Sequence, residues 1–120
     1  MHDGWPQSVP TAIARIDDYL YLHGHPKSRL YLALSRGEQV CVSACRVDAL
    51  VKARSAFHCS MNYRSAVIFG TGELVGSEEK PSLLDKFTDR LIPGSLEDYR
   101  PYLAKELKGT ALIRLALDEY

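Results

Sequence analysis

The sequence predicts a mainly β fold: an antiparallel barrel of about six strands with helices at its periphery. Three observations carry this expectation. Short apolar runs with a period of two recur between turn signals. Two stretches switch instead to helical spacing, and both fall in connections between strands. The resulting order, ββα-βββ-αα-β, fits six strands into 120 residues, which favours a closed antiparallel sheet in one domain.

Each element has its own warrant. "SVPTAIA" (Ser8–Ala14) reads as the first strand and "YLYLH" (Tyr19–His23) as the second. Asp17-Asp18 between them suits a hairpin turn, less well than Asp-Gly would. The period of two puts Tyr19, Tyr21 and His23 on one face and Leu20 and Leu22 on the other. In "GHPKSRLYLALSRGEQ" the spacing predicts a helix from Pro26, placed as a first helical residue, to Arg36. Leu30, Ala33 and Leu34 form its apolar stripe and Gly37 ends it. "QVCVSAC" is the third strand, with Val40, Val42 and Ala44 facing one way and Cys41, Ser43 and Cys45 the other. A turn near Val47-Asp48 leads into a short fourth strand, "ALVKARS". A long fifth strand follows from about Arg64 to Val75. Leu83, Leu84, Phe87 and Leu91 recur at helical spacing, and Pro93-Gly94 stops that helix. Ser95, with Asp98 three residues on, is placed to cap a second helix ending at Gly109. "TALIRLALDEY" is the last strand. Ala111, Ile113, Leu115 and Leu117 share one face, and the other carries Leu112, Arg114 and Ala116, so both faces are largely buried.

Composition narrows the function classes. Apolar residues make up 46% and charged residues 25%, with fifteen basic against fifteen acidic side chains. A net charge of zero does not point to nucleic acid. No apolar run approaches the roughly 18 residues of a membrane span, and "MHDGWPQSVP" lacks a signal-peptide pattern. A cytoplasmic protein is the expectation. The three cysteines, Cys41, Cys45 and Cys59, argue against a disulfide framework. Cys41 and Cys45 on one strand lie about 13 Å apart at roughly 3.3 Å per residue, too far for one metal. Small buried thiols are the expectation there.

Three places offer chemistry. "HGHPKSR" puts a glycine ahead of a helix start and then Lys27, Ser28 and Arg29 in its first turn. Unpaired helical N–H groups, a hydroxyl and two cations suit an anion such as phosphate. Two solvated basic side chains are the alternative. "HCSMNYRS" is polar and abuts a buried strand. His58 and Cys59 point to opposite faces of an extended chain, so they form no nucleophile pair. Arg64 and Ser65 there either bond a ligand or finish a loop. His23 ends a strand beside the phosphate-like turn, and His25 stands in the loop as a capping candidate. These residues alone leave open a nucleotide-binding enzyme and a lipocalin-like binding module.

"LYLHGHPKSRLYLAL", "VCVS", "LVKARSAFHCSMNYRSAVIFG", "LIPG" and "ELKGTALIRLAL", in this order through nearly the whole chain, resemble the pyridoxamine 5'-phosphate oxidase-related flavoproteins. The branch with the nitroimidazole-resistance reductases is the nearest match. The resemblance implies a single FMN-binding split β-barrel domain over residues 1–120, shortened at both ends relative to the family. It implies a homodimer with flavin sites at the interface. By position, Lys27, Ser28 and Arg29 fall on the segment that holds the FMN phosphate. Leu22 and His23 fall on the strand end beside the flavin, with His23 a substrate-side candidate. Pro10, Thr11 and Ala12 fall on the strand whose backbone faces the ring. Asn62, Tyr63, Arg64 and Ser65 fall on a motif expected to complete the site. The implied activity is FMN-dependent oxidation or reduction of a small molecule. A non-catalytic flavin- or haem-binding carrier, and a cofactor-free dimeric scaffold, are the alternatives.

Overall fold

A computed structural model describes residues 3–118. The chain divides into two units, residues 1–39 with 71–120, and residues 40–70.

The larger unit is built on an antiparallel sheet of four strands in the order β1-β2-β6-β5. β1 (Ile13–Ile16) and β2 (Tyr19–Gly24) form the hairpin expected at Asp17-Asp18, with Ile16 opposite Tyr19. Asp17 takes the positive φ of 54° that such a tight turn requires of one residue. β6 (Ala111–Ala116) is the central strand. It pairs with β2 along its whole length and with the two-residue β5 (Glu73–Leu74) on its other side. Leu112, Ile113 and Leu115 are essentially inaccessible, as expected of a strand buried on both faces.

Register assigns the faces. Ala14, Tyr21 and Leu112 cluster with Phe87 and Leu84 of α2 (Lys80–Leu91), so α2 covers the face that carries Tyr19, Tyr21 and His23. α1 (Arg29–Ser35) covers the opposite face. A Cβ on Gly72 would meet Ile113 Cγ2 at 2.8 Å and Leu34 Cδ2 at 2.9 Å. Glycine is therefore required where the chain passes between α1 and β6, and the ladder breaks there. A 3₁₀ turn (Leu96–Asp98) and the short α3 (Ala104–Lys108) complete the unit. Lys80 Nζ donates to the Leu107 and Thr110 carbonyls at 2.6 and 3.1 Å, tying the start of α2 to the end of α3.

The smaller unit is a two-stranded ribbon of β3 (Gln39–Val51) and β4 (Ser60–Thr71). On β3, Val40, Val42 and Ala44 are partly covered while Cys41, Ser43 and Cys45 are exposed, following the expected alternation. Beyond Cys45 both faces of β3 are exposed.

Several expectations are corrected. No closed barrel forms among the described residues: six strands are present, but as a sheet of four and a ribbon of two. The first strand starts at Ile13, leaving Ser8–Ala12 without regular pairing, since Pro10 has no N–H for a ladder. α1 starts at Arg29 rather than Pro26, because Ser28 caps it. There is no turn at Val47-Asp48. β3 runs through as one strand with neither Gly nor Pro to stop it, and Asp48 is paired with Arg46 at 3.2 Å and Arg64 at 3.0 Å. A cross-strand ion pair offsets the poor strand preference of Asp. The long strand expected from Arg64 to Val75 is β4 and β5, split at Gly72. Ser95 makes no side-chain cap, and Pro101 interrupts the helix expected after it. The cysteines are exposed rather than buried.

Candidate functional site

β2, α1 and the irregular N-terminal segment meet at a cavity of about 480 Å³. Its walls are Gln7, Val9, Pro10 and Thr11 from the segment, His23 and Gly24 from β2, and Ser28, Arg29, Leu30 and Tyr31 from the start of α1. Five residues predicted from sequence, Pro10, Thr11, His23, Ser28 and Arg29, thus line one space although nineteen positions separate the first from the last. Two larger open clefts, of about 710 and 770 Å³, lie along α2 and contain none of the predicted residues. Volume therefore does not single out the site; the convergence of polar groups does.

The α1 end of the cavity is built by local hydrogen bonding. The His25 carbonyl accepts from the Ser28 N–H at 3.0 Å, and His25 Nδ1 accepts from the Lys27 N–H at 3.1 Å. His25 thus shapes the turn that presents Ser28 instead of capping the helix itself. Ser28 Oγ accepts from the Tyr31 N–H at 3.4 Å, the N-cap geometry that starts the helix. Arg29 is exposed and forms part of the wall, whereas Lys27 is exposed on the turn beside it.

His23 sits at the other end. Its ring meets the Phe87 ring edge-on at 4.7 Å, which fixes its orientation. Burial lowers its pKa below the usual 6.5, favouring neutral imidazole. Such a group offers one donor and one acceptor to a ligand. Leu22 and Ala12 do not line the cavity: Leu22 is a core side chain, and Ala12 is exposed just before β1. Asn62, Tyr63, Arg64 and Ser65 all lie on β4 in the ribbon. Arg64 is held there by a bidentate pair with Asp48, both contacts at 3.0 Å. Cys59 Sγ accepts from the Ala53 N–H at 3.4 Å, closing the loop between the ribbon strands, and His58 stacks edge-on with Phe57 at 5.3 Å.

Sequence reasoning missed Tyr31 and Gly24. A Cβ on Gly24 would overlap the Tyr31 ring, with Cζ at 2.8 Å. The glycine in "HGH" therefore serves the close approach of that ring. Tyr31 is 95% buried and its hydroxyl has no hydrogen-bond partner. Thr11 lies near enough to draw the Tyr31 pKa down against the larger upward push of burial, but the Thr11 hydroxyl is directed to the Ala12 carbonyl at 3.4 Å. An arginine, a serine and an oriented histidine around one cavity fit a ligand with an anionic arm and a polar ring. A flavin nucleotide has those features.

Comparison with known proteins bears on this site. The chain is 39% identical to the FAD and heme binding protein from Mycobacterium smegmatis over 98% of its length, with a TM-score of 0.88. It is 38% identical to the flavocytochrome Anf3 from Azotobacter vinelandii, again over 98% of its length, with a TM-score of 0.83. It covers 57% and 55% of those two chains, so it spans little more than half of each. A putative 5-nitroimidazole antibiotic resistance protein from Bacteroides thetaiotaomicron is 25% identical with a TM-score of 0.76, over 98% of this chain and 68% of that one. No curated protein matches. The pyridoxamine 5'-phosphate oxidase family pattern matches residues 1–120, and the chain belongs to that family.

Proposed function

We propose that the protein binds FMN in the cavity between the N-terminal segment, β2 and α1, and uses it to oxidise or reduce a small molecule. The convergence of Pro10, Thr11, His23, Ser28 and Arg29 on one cavity carries this reading. Ser28 and Arg29, with Lys27 adjacent, would hold the phosphate by charge-assisted hydrogen bonds. Pro10 and Thr11 would lie along the ring, and His23 would stand on the substrate side. A bound flavin supplies the redox chemistry; the chain binds it, orients it and shields it from water.

The flavin sites lie, in this reading, at the interface of a homodimer, with Asn62, Tyr63 and Ser65 of the ribbon completing each one. The apolar character of β4 supports a second copy. Met61, Tyr63, Val67 and Phe69 share one face and are 47–77% exposed. An isolated two-stranded ribbon with such a stripe is marginal in water.

A second reading is favoured by two relatives near 40% identity, one named as an FAD and heme binding protein and the other as a flavocytochrome. Here the protein is a carrier of flavin and haem. The visible spectrum of the purified protein, before and after adding FMN or FAD, separates the readings. Flavin bands alone support the first and a Soret band the second. A colourless protein that takes up neither flavin overturns both. For the phosphate contact, Arg29→Ala is expected to weaken FMN binding by about 10- to 100-fold, on the basis of roughly 1.5–3 kcal/mol for a charged hydrogen bond. Lys27→Ala is expected to have a smaller effect, because Lys27 stands outside the wall. Unchanged affinity in the Lys27→Ala/Arg29→Ala double variant would remove the phosphate assignment.

A further inference from the structure

The cleft of about 710 Å³ along α2 shares no residue with the flavin cavity. Its volume is that of a small-molecule site. One wall is a single face of α2, with Pro81, Asp85 and Thr88 on successive turns. The rest comes from residues 96–102 and from Leu107 of α3. Two tyrosines stand in that second wall with surface to offer a ligand: Tyr99 is 51% and Tyr102 37% exposed. The segment that carries them is pinned. Arg100 donates to both Glu106 carboxylate oxygens at 2.9 and 3.0 Å and to the Pro101 carbonyl at 3.0 Å. The Leu103 N–H donates to Glu106 at 2.8 Å, and the Tyr102 hydroxyl is hydrogen-bonded to Asp85 and Thr88. Charge is distributed unevenly. Glu106 neutralises Arg100, whereas Asp85 is exposed and makes no ion pair among the described residues. The cleft thus holds one uncompensated carboxylate and two aromatic rings, with Pro81, Leu96 and Leu107 as apolar surface.

We propose that this cleft binds a small tertiary or quaternary ammonium ligand, its charge held by Asp85 and the tyrosine rings. A cation is attracted to the face of an aromatic ring. Its alkyl groups suit the apolar surface, and the carboxylate supplies the counter-charge. Tyr102 uses only part of the acceptor capacity of Asp85, since an ionised carboxylate has about four acceptor sites. A primary ammonium fits less well. It brings three N–H donors, and of the two polar partners on the α2 face Thr88 is already engaged by Tyr102. An anion is disfavoured by Asp85 and finds Arg100 occupied by Glu106. Because the Arg100–Glu106 pair and the Leu103 bond fix the segment beforehand, little ordering is needed on binding. The site is independent of the flavin reading and stands or falls apart from it.

Choline is the probe, and 3,3-dimethylbutan-1-ol, an uncharged molecule of the same shape, is its control. Each is titrated into the full chain labelled with nitrogen-15 and followed by amide chemical shifts. Choline is expected to give saturable shifts in residues 81–107 with a Kd of about 1–10 mM. Sodium chloride at the same ionic strength should not reproduce them. The alcohol should bind at least about 10-fold more weakly, lacking both the ring attraction and the ion pair. Asp85→Asn is expected to weaken choline binding by about 3- to 10-fold. Tyr99→Leu should weaken it by about 3- to 30-fold, while Tyr99→Phe, which keeps the ring, stays within about twofold of wild type. Thermal unfolding of each variant checks that the fold is kept. Absence of saturable shifts up to about 50 mM choline would overturn the proposal. So would equal binding of choline and the alcohol by the wild-type protein, a comparison that needs no variant. Choline affinity unchanged in folded Asp85→Asn, or in folded Tyr99→Leu, would also sink it.

Discussion

The close approach of Gly24 to Tyr31 gives a prediction whose size can be worked from the structure. Gly24→Ala places a methyl group where the Tyr31 ring already sits: Cζ is 2.8 Å and Cδ2 3.1 Å from the built position. Contacts that short are not tolerated between carbon atoms, so the ring or β2 must move. The ring has little freedom, being 95% buried. Overpacking of this kind costs about 1–3 kcal/mol, which lowers the unfolding temperature of a domain this size by roughly 3–15 °C. Tyr31→Leu alone removes the ring tip and is expected to cost a similar ~1–3 kcal/mol through lost packing. In the double variant the clash partner is gone, so the alanine at 24 should then add almost nothing. The coupling energy from the double-mutant cycle should equal most of the Gly24→Ala penalty, about 1–3 kcal/mol. Chemical denaturation of the four proteins measures it. Additive losses, with coupling below about 0.5 kcal/mol, would refute the claim that glycine is needed at 24 because of this ring.

Glu106 accepts a bidentate pair from Arg100 at 2.9 and 3.0 Å and a third bond from the Leu103 N–H at 2.8 Å, which together lower its pKa from 4.5 to about 2. A carboxylate held down in the folded state contributes stability above pH 4.5 and loses it as pH falls toward 2. Wild type should therefore lose more stability between pH 5 and pH 2.5 than Glu106→Gln, as read by thermal unfolding at each pH. Burial depresses the His23 pKa below 6.5, so folding favours the neutral ring. Its contribution is complete above pH 6.5 and is lost as pH falls through the folded-state pKa; His23→Gln should flatten the stability profile just below pH 6.5. Lys80→Met keeps the stem of the side chain but strands the Leu107 and Thr110 carbonyls. A loss of about 1–3 kcal/mol is expected, with early hydrogen exchange in residues 104–108.

What was legible in the sequence follows the range of the interactions involved. The hairpin at Asp17-Asp18, the burial of Leu84 and Phe87 on α2 and the double-sided burial of β6 depend on spacing within one element, and periodicity reads spacing; Leu91, expected in the α2 stripe, is 47% exposed. The five cavity residues were legible through the family motif, and the helix-start reasoning agreed at Ser28 and Arg29. The errors have a common cause. Pro26 looked like a first helical residue, but Ser28 is the better cap and wins. Val47-Asp48 looked like a turn because Asp disfavours strands. The compensating Arg64 lies sixteen residues away in sequence and cannot be seen in a local window. Gly72 looked like an ordinary position in a long strand, and only Leu34 and Ile113 closing on it from two other elements show why the strand breaks. Tyr31 was invisible for the same reason. Nothing local distinguishes a tyrosine in an apolar helix from its leucine neighbours.

The exposed surface of the ribbon constrains the assembly more than the cavity does. On β4 the odd positions carry Met61, Tyr63, Val67 and Phe69, each at least 47% exposed, interrupted by Ser65, while the even positions carry Ser60, Asn62, Arg64, Ala66 and Ile68. A strand whose one face is largely apolar and whose other is more polar is patterned to be covered on one side. Monomeric proteins rarely leave a contiguous apolar patch of this kind uncovered, which supports the proposed second copy. If a second copy covers it, Tyr63 and Ser65 on this face come to the interface at which the flavin site is proposed, and dimerisation and site completion go together. Phe69→Asp, 77% exposed in the single chain, tests this. It should convert a dimer to monomer in sedimentation velocity and weaken flavin binding in parallel. A variant that stays dimeric, or a monomer that binds flavin as tightly as the parent, would break the link between the ribbon and the site.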